Sequence, residues 1–353
     1  MKSCTILGIE TSCDETSAAI VVDGRDVRAS LVSSQVALHA KYGGIVPEIA
    51  SRAHIEQMRP IIAQTLAQAR VGYDDLDAVA VTVGPGLIGS LLIGVTGAKT
   101  LALTRNLPLF AIDHITAHAT SAALFADAPP WPAVALVVSG GHTSLYLVRD
   151  FLDLELLGQT VDDAAGEAFD KVAAILELGY PGGPVIDKLA AQGNPKAIRF
   201  PRIWIHKPHF NFSFSGLKTA VLYYVYGAGK KYGSAQRLSA SELADVAASF
   251  QSALVQTLVA KTVAAAQKTG VPNVVVGGGV AANSALRTEL QSACEAAHLD
   301  LFLTPLEYCT DNAAMVAALA YHRYQRGETA DLWVEPRAGL LRPVLRARGR
   351  VAT

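Results

Sequence analysis

At 353 residues the chain is long enough for two hydrophobic cores, because single cores usually stop growing below that size. Lys and Arg number 30 against 31 Asp and Glu, so no overall field draws the molecule to nucleic acid or an anionic membrane, and any polyanion must be met by a local basic patch. Charged residues make up 17% and apolar residues 51%, which argues against disorder, and no apolar run approaches the roughly 20 residues of a membrane span.

The opening Met-Lys-Ser-Cys-Thr-Ile has no signal-peptide architecture, and Cys4, Cys13, Cys294 and Cys309 form no Cys-x-x-Cys pair. Reduced, buried thiols in a cytoplasmic protein are therefore expected. Thr5–Glu10 predicts a buried strand, Thr11–Glu15 a polar turn and Ser17–Val22 a second strand. In that turn Ser12 and Asp14 are suited to contact a phosphate or hold a hydrated cation. A helix follows over about Glu48–Arg70, then a strand over Ala78–Val83 and a helix over about Ser90–Thr104. Between these last two, Gly84-Pro-Gly86-Leu-Ile-Gly89 fits a dinucleotide-binding fingerprint, with Asp113 placed like a ribose acid. Pro85 removes one amide donor from such a loop, and tight strand-to-helix packing explains the glycines better.

After a short strand ending near Asp113 come His114 and His118, four apart on a predicted helix and so on one face. Two imidazoles placed that way can share a divalent ion, or they can be ordinary buried histidines with hydroxyl or carbonyl partners. The spacing is similar to that of zinc peptidases, whose helix reads His-Glu-x-x-His, but Ile115 stands where their general base would be.

Ala128-Pro-Pro-Trp-Pro132 is a Pro-rich junction and a predicted domain boundary. About 127 residues after the first hairpin, Val134–Val138, a Ser139-Gly140-Gly141-His142 turn and Thr143–Val148 repeat its pattern of strand, polar turn, Thr-Ser, strand. Duplicated halves would place both turns at a shared cleft, where Ser139-Gly140-Gly141 leaves backbone amides open to an anion. Further elements are a helix over about Asp163–Glu177, a glycine turn at Tyr180–Pro184 and a polar, aromatic insert over Asn194–Ser215. A helix over about Ser241–Lys268 and a strand running into Gly277-Gly278-Gly279 come next, with Asn283 opening a helix and offering an amide to a ribose or base. Leu301–Thr304 is the last strand and Asp311–Arg326 the last helix. Asp311 is ordinarily an N-cap there, or else a third, carboxylate ligand for the histidines' ion. From Arg337 onward the chain carries five Arg and no acid, the composition of a solvated end.

Taken together, Gly8–Thr16, His114–His118, Val138–Thr143, Phe212–Lys218, Gly277–Asn283 and Cys309–Asn312 resemble the bacterial tRNA N6-adenosine threonylcarbamoyltransferases (TsaD) from about residue 5 to 326. The resemblance implies an α/β fold of the actin/Hsp70/sugar-kinase type, two ribonuclease-H-like lobes around a nucleotide cleft. Residues 1–132 with 310–353 would form the first lobe and 133–309 the second. It implies transfer of a threonylcarbamoyl group from threonylcarbamoyl-adenylate to the N6 amine of the adenosine 3′ of the anticodon, in tRNAs reading codons that begin with A, releasing AMP. Carried over by motif, His114, His118 and Asp311 would ligate one divalent ion, iron in this family, with zinc or manganese as alternatives, and Mg2+ could accompany a nucleotide. Val137, Val138, Ser139, Gly140, Gly141, Asp170, Gly183, Asp187 and Asn283 would bind the adenylate or its acyl group, and Glu15 would handle a proton or be a solvated turn carboxylate. Ser12, Asp14, Gly277, Gly278 and Gly279 would line the phosphate and nucleotide loops.

Implied partners are tRNA, a paralogous scaffold (TsaB) and a small ATPase (TsaE), with no membrane. For tRNA, Lys196, Arg199, Arg202 and Lys207 with Trp204, Phe210 and Phe212 would form a basic patch with stacking groups, or else a solvated insert with aromatics in the core. Two departures stand out. Val137 occupies the place of a Tyr ligand found in the archaeal and eukaryotic branch, and the Arg-rich end does not follow the usual bacterial one. Two other functions fit the fold: a non-catalytic scaffold, which would lack the His pair and Asp311, and a small-molecule phosphotransferase.

Overall fold

The computed structural model describes residues 3–203, 209–227 and 238–339. Strands β1 (Thr5–Glu10), β2 (Glu15–Val22) and β3 (Asp26–Ser34) form an antiparallel meander. The short helix α1 (Val36–His39), α2 (Pro47–Ala69), β4 (Ala78–Gly84), α3 (Ile88–Arg105), β5 (Leu109–Asp113) and α4 (His114–Thr120) follow. The chain then repeats itself with β6 (Ala133–Val138), β7 (Thr143–Asp150) and β8 (Asp153–Gln159), again a meander. After it come α5 (Ala165–Ile175), α6 (Gly182–Ala190), α7 (Ser215–Tyr226), α8 (Ala240–Thr269), β9 (Asn273–Gly277), α9 (Ser284–Ala296), β10 (Asp300–Leu303) and α10 (Ala313–Gln325).

The duplication seen in two hairpins extends to whole sheets. The first sheet runs β3-β2-β1-β4-β5 and the second β8-β7-β6-β9-β10, with the fourth and fifth strands parallel to the first strand of each meander. Central strands β1, β4, β6 and β9 read as nearly unbroken apolar runs because helices or the other lobe cover both faces. On the outer face of the first sheet, Leu7, Ile9, Val79 and Val81 meet Met58, Ile61, Ile62 and Leu66 of α2 and Val95 and Ala98 of α3. The outer face of the second sheet buries Val134, Leu136 and Val138 against α5, α6 and α8. Helix α8 is the one described helix long and apolar enough to cross a membrane, and most of its apolar stretch is buried here.

The inner faces are covered by an exchange of helices. Helix α4 follows the first sheet's last strand yet lies on the second sheet, with Ile115 and Ala119 against Ala133, Ala135 and Val137. Helix α10 follows the second sheet's last strand and lies on the first, with its alanines against Ile6, Ala80, Phe110 and Ile112. Small residues let α10 approach closely: a Cβ on Gly8 would stand 2.3 Å from the Ala313 carbonyl oxygen. Helix α4 touches α10 through Ala117, so the two helices lie between the sheets.

The glycines of the dinucleotide-like motif serve packing. A Cβ on Gly86 would meet the Ser12 carbonyl oxygen at 2.5 Å, and one on Gly89 the Ser51 hydroxyl at 2.4 Å. Asp113 caps α4 through its carboxylate, in a place where no ribose is needed to explain it.

Candidate metal and substrate site

The cap at Asp113 decides where the first helix of the site begins. Its Oδ1 accepts from the Thr116 amide at 2.8 Å and from the Thr116 hydroxyl at 3.0 Å, so His114 becomes the first helical residue. One turn on, His118 lies on the same face, with ring centroids 4.6 Å apart and ring planes nearly perpendicular. At α10 the capping role falls to Asn312, whose Oδ1 accepts from the Met315 amide at 3.1 Å while its Nδ2 donates to the Tyr308 and Thr310 carbonyls. Asp311, one residue earlier, is thereby left free of capping. Its Oδ1 lies 3.0 Å from His118 Nε2 and 3.6 Å from His114 Nε2.

These three side chains offer donor atoms within 4.8 Å of one another, all on buried or nearly buried groups. Donors about 2.1 Å from one ion in tetrahedral array stand about 3.4 Å apart, so the two measured separations bracket what a shared ion requires. Two imidazoles and one carboxylate fit a first-row divalent ion and leave coordination positions for substrate. Nδ1 of His118 is buried without a hydrogen-bond partner among the described residues.

A residue that motif reasoning passed over sits behind His114. Glu10, at the end of β1, is fully buried. Its Oε1 accepts from the Ser12 amide at 2.6 Å, and its Oε2 from the Thr82 hydroxyl at 2.5 Å and faces His114 Nδ1 at 3.1 Å. The Ser12 hydroxyl is a second neighbour of that nitrogen at 3.2 Å, which places Ser12 with the histidines and away from an open phosphate loop. Only the position of Glu10 at the C-terminal end of a central strand, where sheet side chains meet a cleft, could have flagged it.

The charges of these buried groups act on one another at short range. Burial disfavours the Glu10 carboxylate, but His114 outweighs it and holds the group below its ordinary range. Burial likewise opposes a charge on His114, yet Asp311 and Glu10 lift it to about 9. Asp311 is buried too, and His114 and His118 hold it well below the usual carboxylate range. His142, whose ring centroid lies 6.3 Å from that of His114, is pushed down to about 4 by burial and by the two histidines. Glu15 opens β2, and its carboxyl is raised well above its ordinary value by burial, then by Asp311 and Asp14.

The second lobe brings its turns to the same cleft. The Ser139 turn is closed by its own amide donating to the His142 carbonyl and by the His142 amide donating to Ser139 Oγ. Gly140 and Gly141 face open space, whereas Val137 and Val138 are fully buried in the pairing of β6 with its neighbours. Asp14 raises both Asp170 and Tyr180, after burial, which sets the first turn opposite α5 and α6. Asp170 accepts the Gly182 amide at 2.7 Å, and Gly183 beside it is open.

Asp187 and Asn283 join in a latch between α6, α8 and α9. Asp187 accepts from the Ser284 amide and hydroxyl and from Gln251, while Asn283 caps α9 and donates to Gln251 Oε1 at 2.9 Å. The Asn283 amide offered to a ribose or base is thus already engaged. Of the last glycine turn, Gly277 and Gly278 are held by close backbone approach, and only Gly279 is open.

The Phe212–Lys218 motif is a clamp. Asp162 accepts from the Ser213 and Ser215 hydroxyls and from the amides of Phe214 and Ser215, fastening the start of α7. Phe212 is fully buried and stacks on Phe214, so it belongs to the core and offers no platform to a base. Lys196, Arg199 and Arg202 line an open groove of about 650 Å³. Trp204, Lys207 and the end of the chain beyond residue 339 lie outside the described residues.

Comparison with known proteins accords with this geometry. A sequence model of the family TsaD, tRNA N6-adenosine threonylcarbamoyltransferase, matches residues 26–318. The chain is 52% identical over 327 residues to the tRNA N6-adenosine threonylcarbamoyltransferase of Moorella thermoacetica, covering 93% of this chain and 94% of that protein. It is 48% identical over 321 residues to the protein of the same name from Desulfotalea psychrophila, covering 91% and 92%. Among solved structures it is similar to component A of (R)-2-hydroxyglutaryl-CoA dehydratase from Acidaminococcus fermentans (TM-score 0.52, 17% identity, 91% of this chain and 99% of that one). It is also similar to HypF from T. kodakarensis (TM-score 0.61, 16% identity, 92% and 48%). At such identities these two speak for the two-lobed, actin-like fold alone.

Proposed function

The chain belongs to the tRNA N6-adenosine threonylcarbamoyltransferase family, and from that membership and the geometry of the cleft we propose how it performs the transfer. It is a transferase that modifies tRNA by placing a threonylcarbamoyl group on the N6 amine of an adenosine. The donor in this proposal is threonylcarbamoyl-adenylate and the acceptor the adenosine 3′ of the anticodon, in tRNAs reading codons that begin with A. The amine nitrogen attacks the carbamoyl carbon, the bond from that carbon to the phosphate oxygen breaks, AMP departs, and the nitrogen gives up a proton. That amine is a poor nucleophile because its lone pair is delocalised into the ring, so alignment and charge stabilisation are what the protein must supply.

His114, His118 and Asp311 hold one divalent ion, iron or alternatively zinc or manganese. An ion held there would supply Lewis-acid polarisation and help to fix one end of the donor. The open glycines Gly140, Gly141 and Gly279 receive the phosphate through their amides, with Ser139, whose own amide closes the turn, and with Ser12, Asp14, Gly277 and Gly278 shaping the loops behind them, and Mg2+ accompanies any further nucleotide phosphate. Asp170, Gly183, Asp187 and Asn283 form the adenylate side of the cleft, Asp187 and Asn283 through their latch, and Val137 and Val138 support the Ser139 turn from within β6. Glu15, whose carboxyl is made more basic than usual by burial and by Asp311 and Asp14, accepts the proton released by the amine. Lys196, Arg199 and Arg202 attract the RNA backbone. The paralogous scaffold TsaB and the small ATPase TsaE act with the chain in the cytoplasm.

The observation that carries this proposal is the buried set of two histidines and an aspartate facing an open glycine turn from the other lobe. Purified chain, partner proteins, synthetic donor and unmodified tRNA provide the test. Threonylcarbamoyl-adenosine in the digested tRNA is the expected result, and its absence with all components present would refute the proposal.

A further inference from the structure

We infer that Glu10 is the positioning residue of the metal site: it fixes the tautomer of His114 so that Nε2 is the bare, ligating nitrogen. The inference rests on the proposal that His114, His118 and Asp311 hold a divalent ion. It begins from the donors around one buried carboxylate. Three groups converge on Glu10, the Ser12 amide, the Thr82 hydroxyl and His114 Nδ1, at 2.6, 2.5 and 3.1 Å. A carboxylate only accepts, so the nitrogen facing it carries the proton. The Ser12 hydroxyl at 3.2 Å can either donate to that nitrogen or accept from it and therefore does not choose, whereas Glu10 does. With the proton on Nδ1, the lone pair falls on Nε2, the atom 3.6 Å from Asp311 Oδ1. His118 differs, since its Nδ1 is buried without a partner among the described residues. One ligand is locked from behind by a carboxylate and the other is not. Carboxylates behind metal-bound histidines act in this way, and their loss typically weakens metal binding about 10–100-fold.

The surroundings make Glu10→Gln a discriminating variant of nearly unchanged shape. The Ser12 amide is a backbone donor that cannot turn, so the new side chain must place its oxygen there. Its NH2 then faces Thr82 and His114, and Nδ1 becomes the acceptor. The imidazole proton is forced onto Nε2, the atom an ion needs, just as an amide replacing the carboxylate of a catalytic triad traps the wrong tautomer.

The experiment uses the full chain with Zn2+ alone as the probe. Competition against a chromophoric chelator gives affinity, and histidine 15N spectra of the zinc-loaded protein give the tautomer. His118→Ala identifies binding at this site. Expected are a wild-type His114 with protonated Nδ1 and ligated Nε2, and a Glu10→Gln protein with wild-type thermal midpoint and zinc affinity about 10–100-fold weaker. Zinc binding by Glu10→Gln within twofold of wild type, or ligation of His114 through Nδ1, would overturn the inference while leaving the metal site standing. Wild type with no zinc binding sensitive to His118→Ala would overturn the metal site and this inference together. Should Glu10→Gln fail to fold, the wild-type tautomer alone decides.

Discussion

Gly277→Ala tests whether the close packing around α4 sets the site. Gly277 ends β9 beneath the helix that carries both histidines, and a Cβ there would stand 2.3 Å from the His118 carbonyl oxygen and 2.9 Å from the Ser121 hydroxyl. The hydroxyl can rotate, but the carbonyl belongs to helix backbone, so α4 must lift by about 1 Å to restore ordinary contact. Overpacking of this kind costs about 1–3 kcal/mol of stability. The same displacement acts on His118 Nε2, now 3.0 Å from Asp311, and a misplacement of about 1 Å can cost a reaction on the order of 100-fold in rate. Urea unfolding, zinc competition and transfer assays would measure the three effects. Gly279→Ala, whose Cβ meets nothing within 4 Å, serves as the stability control. A Gly277→Ala protein with wild-type stability, metal affinity and transfer rate would refute the claim that this contact holds the site in place.

Removing a ligand should act on metal and chemistry together: His114→Ala is expected to lose bound metal and transfer in parallel, and full transfer by a metal-free variant would take the ion out of the reaction. Asn312→Ala removes the α10 cap and leaves the Tyr308 and Thr310 carbonyls without their amide donor, for a cost of about 1–2 kcal/mol and weaker zinc binding as Asp311 shifts. Urea melts and zinc competition would show both losses. His322 stacks on Phe151 with centroids 3.5 Å apart, and burial holds its pKa down to about 4 from 6.5. The unfolded chain then binds the extra proton first, so this contribution is fully present above pH 6.5 and is lost as pH falls toward 4. Unfolding at several pH values should show that slope, flattened in His322→Phe.

The strongly patterned elements could be read from sequence because their environment is uniform. Central strands such as Ala78–Gly84 are covered on both faces and so appear as apolar runs. Strands β3 and β8 escaped notice because they are the sheet edges beyond the hairpins: Asp26, Arg28, Asp153 and Glu155 are exposed along them. Helix α7 was hidden because its amphipathic signal follows the aromatic insert without a break. Among site residues, His114 and His118 are four apart in one helix and carry their relation in their spacing. The join to Asp311 spans 193 residues and depends on Asn312 taking the cap, a choice between two adjacent capping types that spacing does not decide. Glu10 was obscured for a related reason, since its partners Thr82 and His114 are 72 and 104 residues away.

The exchange of helices between the sheets gives metal removal a structural consequence of its own. Helix α4 is seated on the second sheet and α10 on the first, while the proposed ion joins His114 and His118 of α4 to Asp311, just before α10. An ion bound there fastens one lobe's helix to the other's, in addition to serving the reaction. Because the unfolded chain keeps those ligands far apart along the sequence, it binds the ion poorly, and binding adds to folding stability. At free zinc about 100-fold above its dissociation constant the gain should be about 2.7 kcal/mol. Urea unfolding with and without chelator would measure it, and Asp311→Ala should abolish the difference. A chelator effect that survives Asp311→Ala would locate the stabilising ion elsewhere and break the link between the metal and the joining of α4 to α10.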